Sequence, residues 1–232
     1  MQSTADIQVA GKPLSQHRTA KSETTMSKEA RFWDRIAEGY ARKPVADEAA
    51  YQKKLKVTQE YLRDDMNVLE FGCGTGSTSL VHAPFVKHID AVDISSKMIE
   101  IAKGKAAAGN VTNVRFSQSG IEELDAADGS YDAMLGLSVL HLLEDPQAAI
   151  SKVHRLLKPG GVFVSSTACL ADMNPAFRLI LPIGYALGFV PRVQIMKAAT
   201  LKDDLAHAGF KLDYEWTPGP GKGIFLVAKK PG

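Results

Sequence analysis

Cysteine is close to absent from this chain. Its two copies, Cys73 and Cys169, cannot build a disulfide framework, and the six histidines (His17, His82, His88, His141, His154 and His207) form no pair at ligand spacing. That removes a disulfide-stapled secreted fold and a metal site from the expectations and points to a reducing cytoplasm. An excess of one charge is lacking too. The 28 basic and 26 acidic residues are scattered and leave a formal net charge of +2, so no stripe suited to a nucleic-acid partner is present. No apolar run reaches the about 20 residues that span a bilayer. The longest, Phe177 to Val190, has fourteen residues and contains Arg178, Pro182, Gly184 and Gly188; it reads as a buried cap or as the greasy wall of a substrate pocket. Residues 1–25 are Ser/Thr/Lys-rich without an apolar core, which excludes a signal peptide and suggests a disordered extension, with Met26 a candidate second start.

What is present is apolar periodicity. At 232 residues and 45% hydrophobic, the chain can bury one sizeable core, expected as a single domain over 26–232. Phe32, Trp33, Ile36 and Tyr40 recur at helical spacing up to Pro44, and a second helical stretch follows, together forming N-terminal cap helices over 26–62. Strand-like runs "NVLEFG", "HIDAVD", "NVRFSQ", "YDAMLGLSVL" and "GGVFVSST" then alternate with amphipathic helices. "KLDYEWT" and "GIFLVAK" close the chain as a hairpin around "PGPGKG". The expected fold is α/β: a three-layer, doubly wound, seven-stranded and mostly parallel sheet whose last strand is antiparallel.

The chemistry-bearing stretch is "VLEFGCGTGST", Val68 to Thr78. Gly72, Gly74 and Gly76 crowd the turn after the first strand, where such sheets hold nucleotides. A dinucleotide fold expects G-x-G-x-x-G or its alanine variant; Ser77 stands where the last small residue belongs, which weakens a nicotinamide-dependent reading. Asp93 ends the second strand, 17 residues after Gly76, where a carboxylate can take ribose hydroxyls or cap the following helix.

"LEFGCGTGSTSL", "IDAVDISSKMI", "YDAMLGLSVLHLL" and "LLKPGGVFVSST", in that order, resemble the class I S-adenosylmethionine-dependent methyltransferases, nearest to the small-molecule, quinone-biosynthesis branch (methyltransferase type 11). The resemblance implies a Rossmann-like fold and S-adenosylmethionine as cofactor, leaving S-adenosylhomocysteine. Glu70 matches the acid at the cofactor's methionine end. Gly72, Cys73, Gly74, Thr75 and Gly76 match the turn that wraps it, and Asp93 the ribose-binding acid. Ile94 and Met98 match positions packed on adenine, and "FSQSGIEEL" puts Ser119, Gly120 and Ile121 there as well. Leu137 matches the residue whose backbone meets the methionine amine. The family's usual Asp or Asn is Gly120 here, so the adenine amine needs another partner; Glu122 and Glu123 read as a solvated face.

Trp33 and Tyr40 read as core residues of the first helix or as a lid, Tyr40 closing over the cofactor; a substrate-lid insertion is expected over 169–197. His141 is the first candidate for a general base and Tyr40 the second. The insertion's Leu, Ile, Phe and Gly content implies a small apolar or amphipathic acceptor, with transient membrane contact through Phe177 to Val190, and a monomer or homodimer. A non-catalytic domain that binds the cofactor or its demethylated product is the alternative.

Overall fold

The computed structural model describes residues 27–172, 176–219 and 222–232. The extension over 1–25 and Met26 lie outside them. Two helices open the described chain, α1 (Lys28–Arg42) and α2 (Glu48–Gln59). Each starts on a side-chain cap: Ser27 accepts from the amide of Ala30 at 3.0 Å and Asp47 from that of Ala50 at 3.0 Å. Then follow β1 (Asn67–Phe71), α3 (Ser77–His82), β2 (His88–Asp93), α4 (Ser96–Ala108), β3 (Val114–Gln118) and β4 (Tyr131–Leu137). The remainder is α5 (Pro146–Leu156), β5 (Leu157–Thr167), α6 (Phe177–Ala186), α7 (Ala198–His207), β6 (Lys211–Trp216) and β7 (Ile224–Lys229).

The seven strands form one sheet in the order β3-β2-β1-β4-β5-β7-β6. Pairs among β1 to β5 are parallel, while β7 inserts antiparallel between β5 and β6. The expected architecture is therefore present, hairpin included. Strand alternation divides the core between two faces. Leu69, Phe71, Met134 and Phe163 pack with Ile150 and Val153 of α5 and Leu201 and Leu205 of α7. Val68, Ile89, Ala133, Leu135 and Val164 pack with Val57 of α2 and Ile99 and Ala102 of α4. Full burial of such side chains stabilises by about 1.5 to 3 kcal/mol each, so this patterning outweighs local propensity.

The stretch Phe177 to Val190 departs from the expectation of a buried cap. It forms α6 despite Pro182 inside the helix. Leu179, Ile180, Ile183, Leu187 and Phe189 are 61 to 76% exposed. The segment is held by polar contacts to α1: Lys28 Nζ donates to the Tyr185 carbonyl at 3.0 Å, Arg35 to the Gly188 carbonyl at 2.6 Å, and the Tyr185 hydroxyl to Glu29 at 2.9 Å. With those contacts on one side, the apolar stripe is left facing outward.

Two glycines of the turn after β1 are demanded by packing. A Cβ on Gly72 (φ +66°) would fall 2.4 Å from Val139 Cγ2. On Gly76 (φ +73°) it would fall 2.7 Å from the Phe116 ring and 2.8 Å from Ala102 Cβ. Gly76 thus lets α3 start against both β3 and α4. Gly76→Ala adds overpacking to a left-handed backbone, and we expect a loss of about 2 to 4 kcal/mol. Urea denaturation of the variant against the parent measures it; a loss under about 1 kcal/mol would show that the turn relaxes freely.

Candidate functional site

In the observed strand order the chain reverses direction across the sheet between β1 and β4, and ligands of such sheets bind beyond the carboxyl ends at that point. Two cavities open there, and both are lined by Tyr40, Gly72, Gly74, Leu137 and Ser138. The first is a narrow slot of about 130 Å³ and the second a wider chamber of about 750 Å³.

Asp93 anchors the slot. Its Oδ2 accepts from the amide of Gly74 at 2.8 Å and its Oδ1 from that of Ser95 at 2.9 Å. One carboxylate thereby ties the turn after β1 to the turn after β2. Each oxygen keeps a further lone pair for a ligand hydroxyl, so the helix-end and ribose readings are compatible. Burial pushes the Asp93 carboxyl up, the two amide bonds pull it back, and the Asp34 charge adds to the rise. Ser95 in turn caps α4 through the Met98 amide at 3.1 Å. Ile94, Met98 and Ile121 give the slot apolar walls, and Ser119 and Gly120 line its floor.

The departure at Gly120 has a structural counterpart. A Cβ there would sit 2.5 Å from Glu123 Oε2 and 3.1 Å from Glu122 Oε2. Glu123 accepts from the Gly120 amide at 2.9 Å, and Glu122 lines the slot. Both glutamates are exposed, as expected of a solvated face, yet their carboxylates fill the space that a side chain at 120 would occupy. Glu122 can therefore supply the acceptor atom that Gly120 lacks.

Glu70, Cys73 and Thr75 line the wider chamber, whereas Gly76 lines neither cavity. Glu70 is 2% exposed and accepts a short hydrogen bond from the Ser79 hydroxyl. Burial raises its carboxyl to about 7; the Ser79 bond opposes this and the Asp93 charge adds to it. A ligand ammonium placed beside Glu70 would relieve that penalty. Burial also holds the Cys73 thiol well above its usual value, so it stays protonated.

The two candidates for proton transfer are placed differently. Tyr40 sits against Gly74, where a Cβ would touch its ring at 4.0 Å, and lines both cavities. Half of its surface is exposed toward them, while desolvation and the Asp93 charge raise its phenol, which keeps its proton. His141 lines neither cavity. It lies in the short turn Leu140–Leu142, its carbonyl accepting from the Gln194 amide at 2.7 Å. Its Nδ1 is buried without a partner, and burial lowers the ring to about 4.

Several site residues went unnamed in the sequence reading. Ser138 holds a left-handed backbone, φ 60°, where the two cavities meet, and a strained non-glycine residue often marks a working position. Asp34 of α1 accepts from the Ser95 hydroxyl at 2.6 Å and the Lys97 amide at 3.1 Å, clasping α1 onto the start of α4. From the insertion, Pro191 and Arg192 reach the slot; α6 does not. Lys54 of α2 lines the wider chamber. Among the described residues no cluster suits a metal ion and no helix is long and apolar enough to cross a membrane.

The donor set fits S-adenosylmethionine in kind: a carboxylate for ribose hydroxyls, apolar walls for a purine, and a buried acid for an ammonium.

A family model described as "Methyltransferase domain" matches residues 62–199, more than half of the chain. Among curated proteins, the chain is 30% identical over 157 residues to a demethylmenaquinone methyltransferase of Symbiobacterium thermophilum, covering 64% of this chain and 61% of that one. It is 35% identical over 102 residues to the uncharacterized methyltransferase YcgJ of Bacillus subtilis, covering 44% and 40%. The matched stretch thus spans less than two thirds of either relative's own length. Among solved structures, an S-adenosylmethionine-dependent methyltransferase of Mesorhizobium loti superposes with a TM-score of 0.66 at 21% identity, over 79% of this chain and 99% of that one, which supports the fold.

The Glu70 site carries a pH signature. Its folded value of about 7 lies above the ordinary 4.5, so its stabilising contribution is full below about 4.5 and is lost as pH rises through about 7. We expect Glu70→Gln to gain about 3 kcal/mol relative to the parent between about pH 4.5 and pH 8. Urea titrations at both ends check this, and a constant difference between the two proteins would refute it.

Proposed function

The chain belongs to the methyltransferase-domain family, and from that membership we propose that it moves a methyl group from S-adenosylmethionine to a small amphipathic acceptor, releasing S-adenosylhomocysteine. The observation that carries the reading is the pair of cavities sharing a wall at Tyr40, Gly72, Gly74, Leu137 and Ser138. One bears the nucleoside-fitting groups; the other bears Glu70 for the methionine end and is roomy enough for a second molecule beside it, so the methyl group would lie where the two cavities join. When bound, the cofactor supplies a methyl group already activated by a sulfonium.

The protein's own part is alignment and exclusion of water, and alignment alone is worth several kcal/mol, up to about 7 to 11. Asp93 is assigned to the ribose hydroxyls, Ile94, Met98 and Ile121 to the adenine faces, and Glu122 to its amine in place of the missing side chain at Gly120. Glu70, with the carbonyl side of Leu137 and the turn Gly72 to Thr75, is assigned to the methionine end. Of the two candidates for proton handling, Tyr40 is the one positioned to meet an acceptor, and with its phenol protonated it orients by donating a hydrogen bond.

The acceptor's amphipathic character is supported from two sides. The relatives include a quinone-pathway enzyme by its printed name. The outward apolar stripe of Leu179, Ile180, Ile183, Leu187 and Phe189 fits transient docking on a lipid surface.

Calorimetric titration with S-adenosylmethionine and S-adenosylhomocysteine tests the reading. Both are expected to bind, and Asp93→Asn to weaken both by about ten-fold or more; absence of binding to either ligand would end the proposal. For the lipid contact, co-sedimentation with phosphatidylglycerol vesicles is expected for the parent and lost in Leu179→Asp/Ile183→Asp. Equal sedimentation of the two proteins would remove α6 from the account.

A further inference from the structure

The wider chamber has a cation with no carboxylate on it. Lys54 projects from α2 to the carboxyl end of β5, where its Nζ donates to the Ser166 hydroxyl at 2.8 Å. Among the described residues it makes no ion pair, and Asp47, whose charge acts on it, is engaged elsewhere. Asp47 accepts from the Ala50 amide at 3.0 Å and pairs with Lys222 at 2.6 Å. The chamber's other acid, Glu70, lies at the end of β1 and is held by Ser79. A half-buried ammonium whose only contact is a neutral hydroxyl is under-compensated, and an added anion would be favoured there. Burial lowers its affinity for a proton, and the Asp47 charge only partly opposes this.

Position argues for which molecule brings that anion. The cofactor-fitting groups stand at the ends of β1 and β2, in Gly72, Gly74 and Asp93. Ser166 pairs with Leu137 of β4, and β4 pairs with β1, so Lys54 stands two strand spacings from the glycine turn, about 9.5 Å across the sheet. That places it at the β5 end of the chamber, across the sheet from the Glu70 and Gly72 to Thr75 edge assigned to the methionine end, and leaves the β5 side for the second reactant. The phenols of Tyr40 and Tyr51 line the same chamber and give an aromatic or aliphatic body something to lie against.

Resting on the methyl-transfer reading, we propose that Lys54 is the anion-holding group of the acceptor site: its ammonium, presented by α2 to the end of β5, binds a carboxylate or phenolate oxygen of the methyl acceptor. The acceptor is then an amphipathic acid, its charged end on Lys54 and Ser166 and its nucleophile turned toward Leu137 and Tyr40. Lys54 acts as a positioning and specificity-determining residue.

The test uses benzoate and its neutral counterpart benzamide as probes, observed by saturation-transfer NMR on the full chain, with and without S-adenosylhomocysteine. Benzoate is expected to bind more tightly than benzamide by about ten-fold, Lys54→Met to abolish the preference, and Lys54→Arg to retain it. Equal binding of the two probes, binding of neither, or an unchanged preference in Lys54→Met would each overturn the assignment. Titration of Lys54→Met with S-adenosylhomocysteine separates the claims. A fall of about ten-fold in that affinity, with the benzoate preference intact, would give the ammonium to the cofactor instead and overturn the proposal. Failure of the parent to bind S-adenosylhomocysteine would sink the methyl-transfer reading while leaving the anion preference measurable on the free protein.

Discussion

The site depends on one carboxylate shared between two turns. Asp93 takes the amide of Gly74 on one oxygen and that of Ser95 on the other, so the loops leaving β1 and β2 cannot shift independently. Everything that faces the slot hangs on that joint: the glycine turn, the start of α4 and, through Asp34, the helix that covers them. Burying such a group raises its pKa, and the two amide bonds are what keep an ionised acid tolerable so close to Glu70. Two buried acids near one turn are costly unless a cation arrives between them, which is the electrostatic condition a sulfonium ligand with an ammonium end would meet.

Much of this was legible in the chain because it is local or periodic. Strand runs such as "NVLEFG" and "YDAMLGL" are buried on both faces and therefore read as continuous apolar stretches. The spacing of Gly72, Gly74 and Gly76, read with Asp93, located the slot, although two of those glycines answer to Val139, Phe116 and Ala102 as much as to a ligand. What escaped depends on long-range placement. Nothing in "FRLILPIGYALGFV" says that Lys28 and Arg35 will hold its carbonyls and turn its leucines and isoleucines outward. Periodicity could not reveal that Lys54 rather than His141 would line the chamber, because Lys54 sits among Gln52, Lys53 and Lys56 and nothing in that run sets it apart. The left-handed backbone of Ser138 has no signature in composition at all.

The two cavities carry different kinds of information. The slot holds most of the residues the family resemblance had named for the nucleoside, joined by Ser138, Pro191, Arg192 and the Glu122 carboxylate beside Gly120. The chamber is built from α2, the segment from Lys43 to Asp47 and the turn before β7, through Pro218, Lys222 and Gly223. Among the described residues, the insertion after β5 contributes Pro191 and Arg192 to the slot and none to the chamber.

The Asp34 clasp has a mechanical meaning. It caps the first turn of α4 with a side chain from the very helix that carries Trp33 and Tyr40 over the slot. Lifting α1 therefore breaks the bonds from the Ser95 hydroxyl and the Lys97 amide to Asp34 at the same moment, while Ser95 keeps its own cap on the Met98 amide. Motion of α1 over the slot is thereby coupled to the first turn of α4 through a few hydrogen bonds.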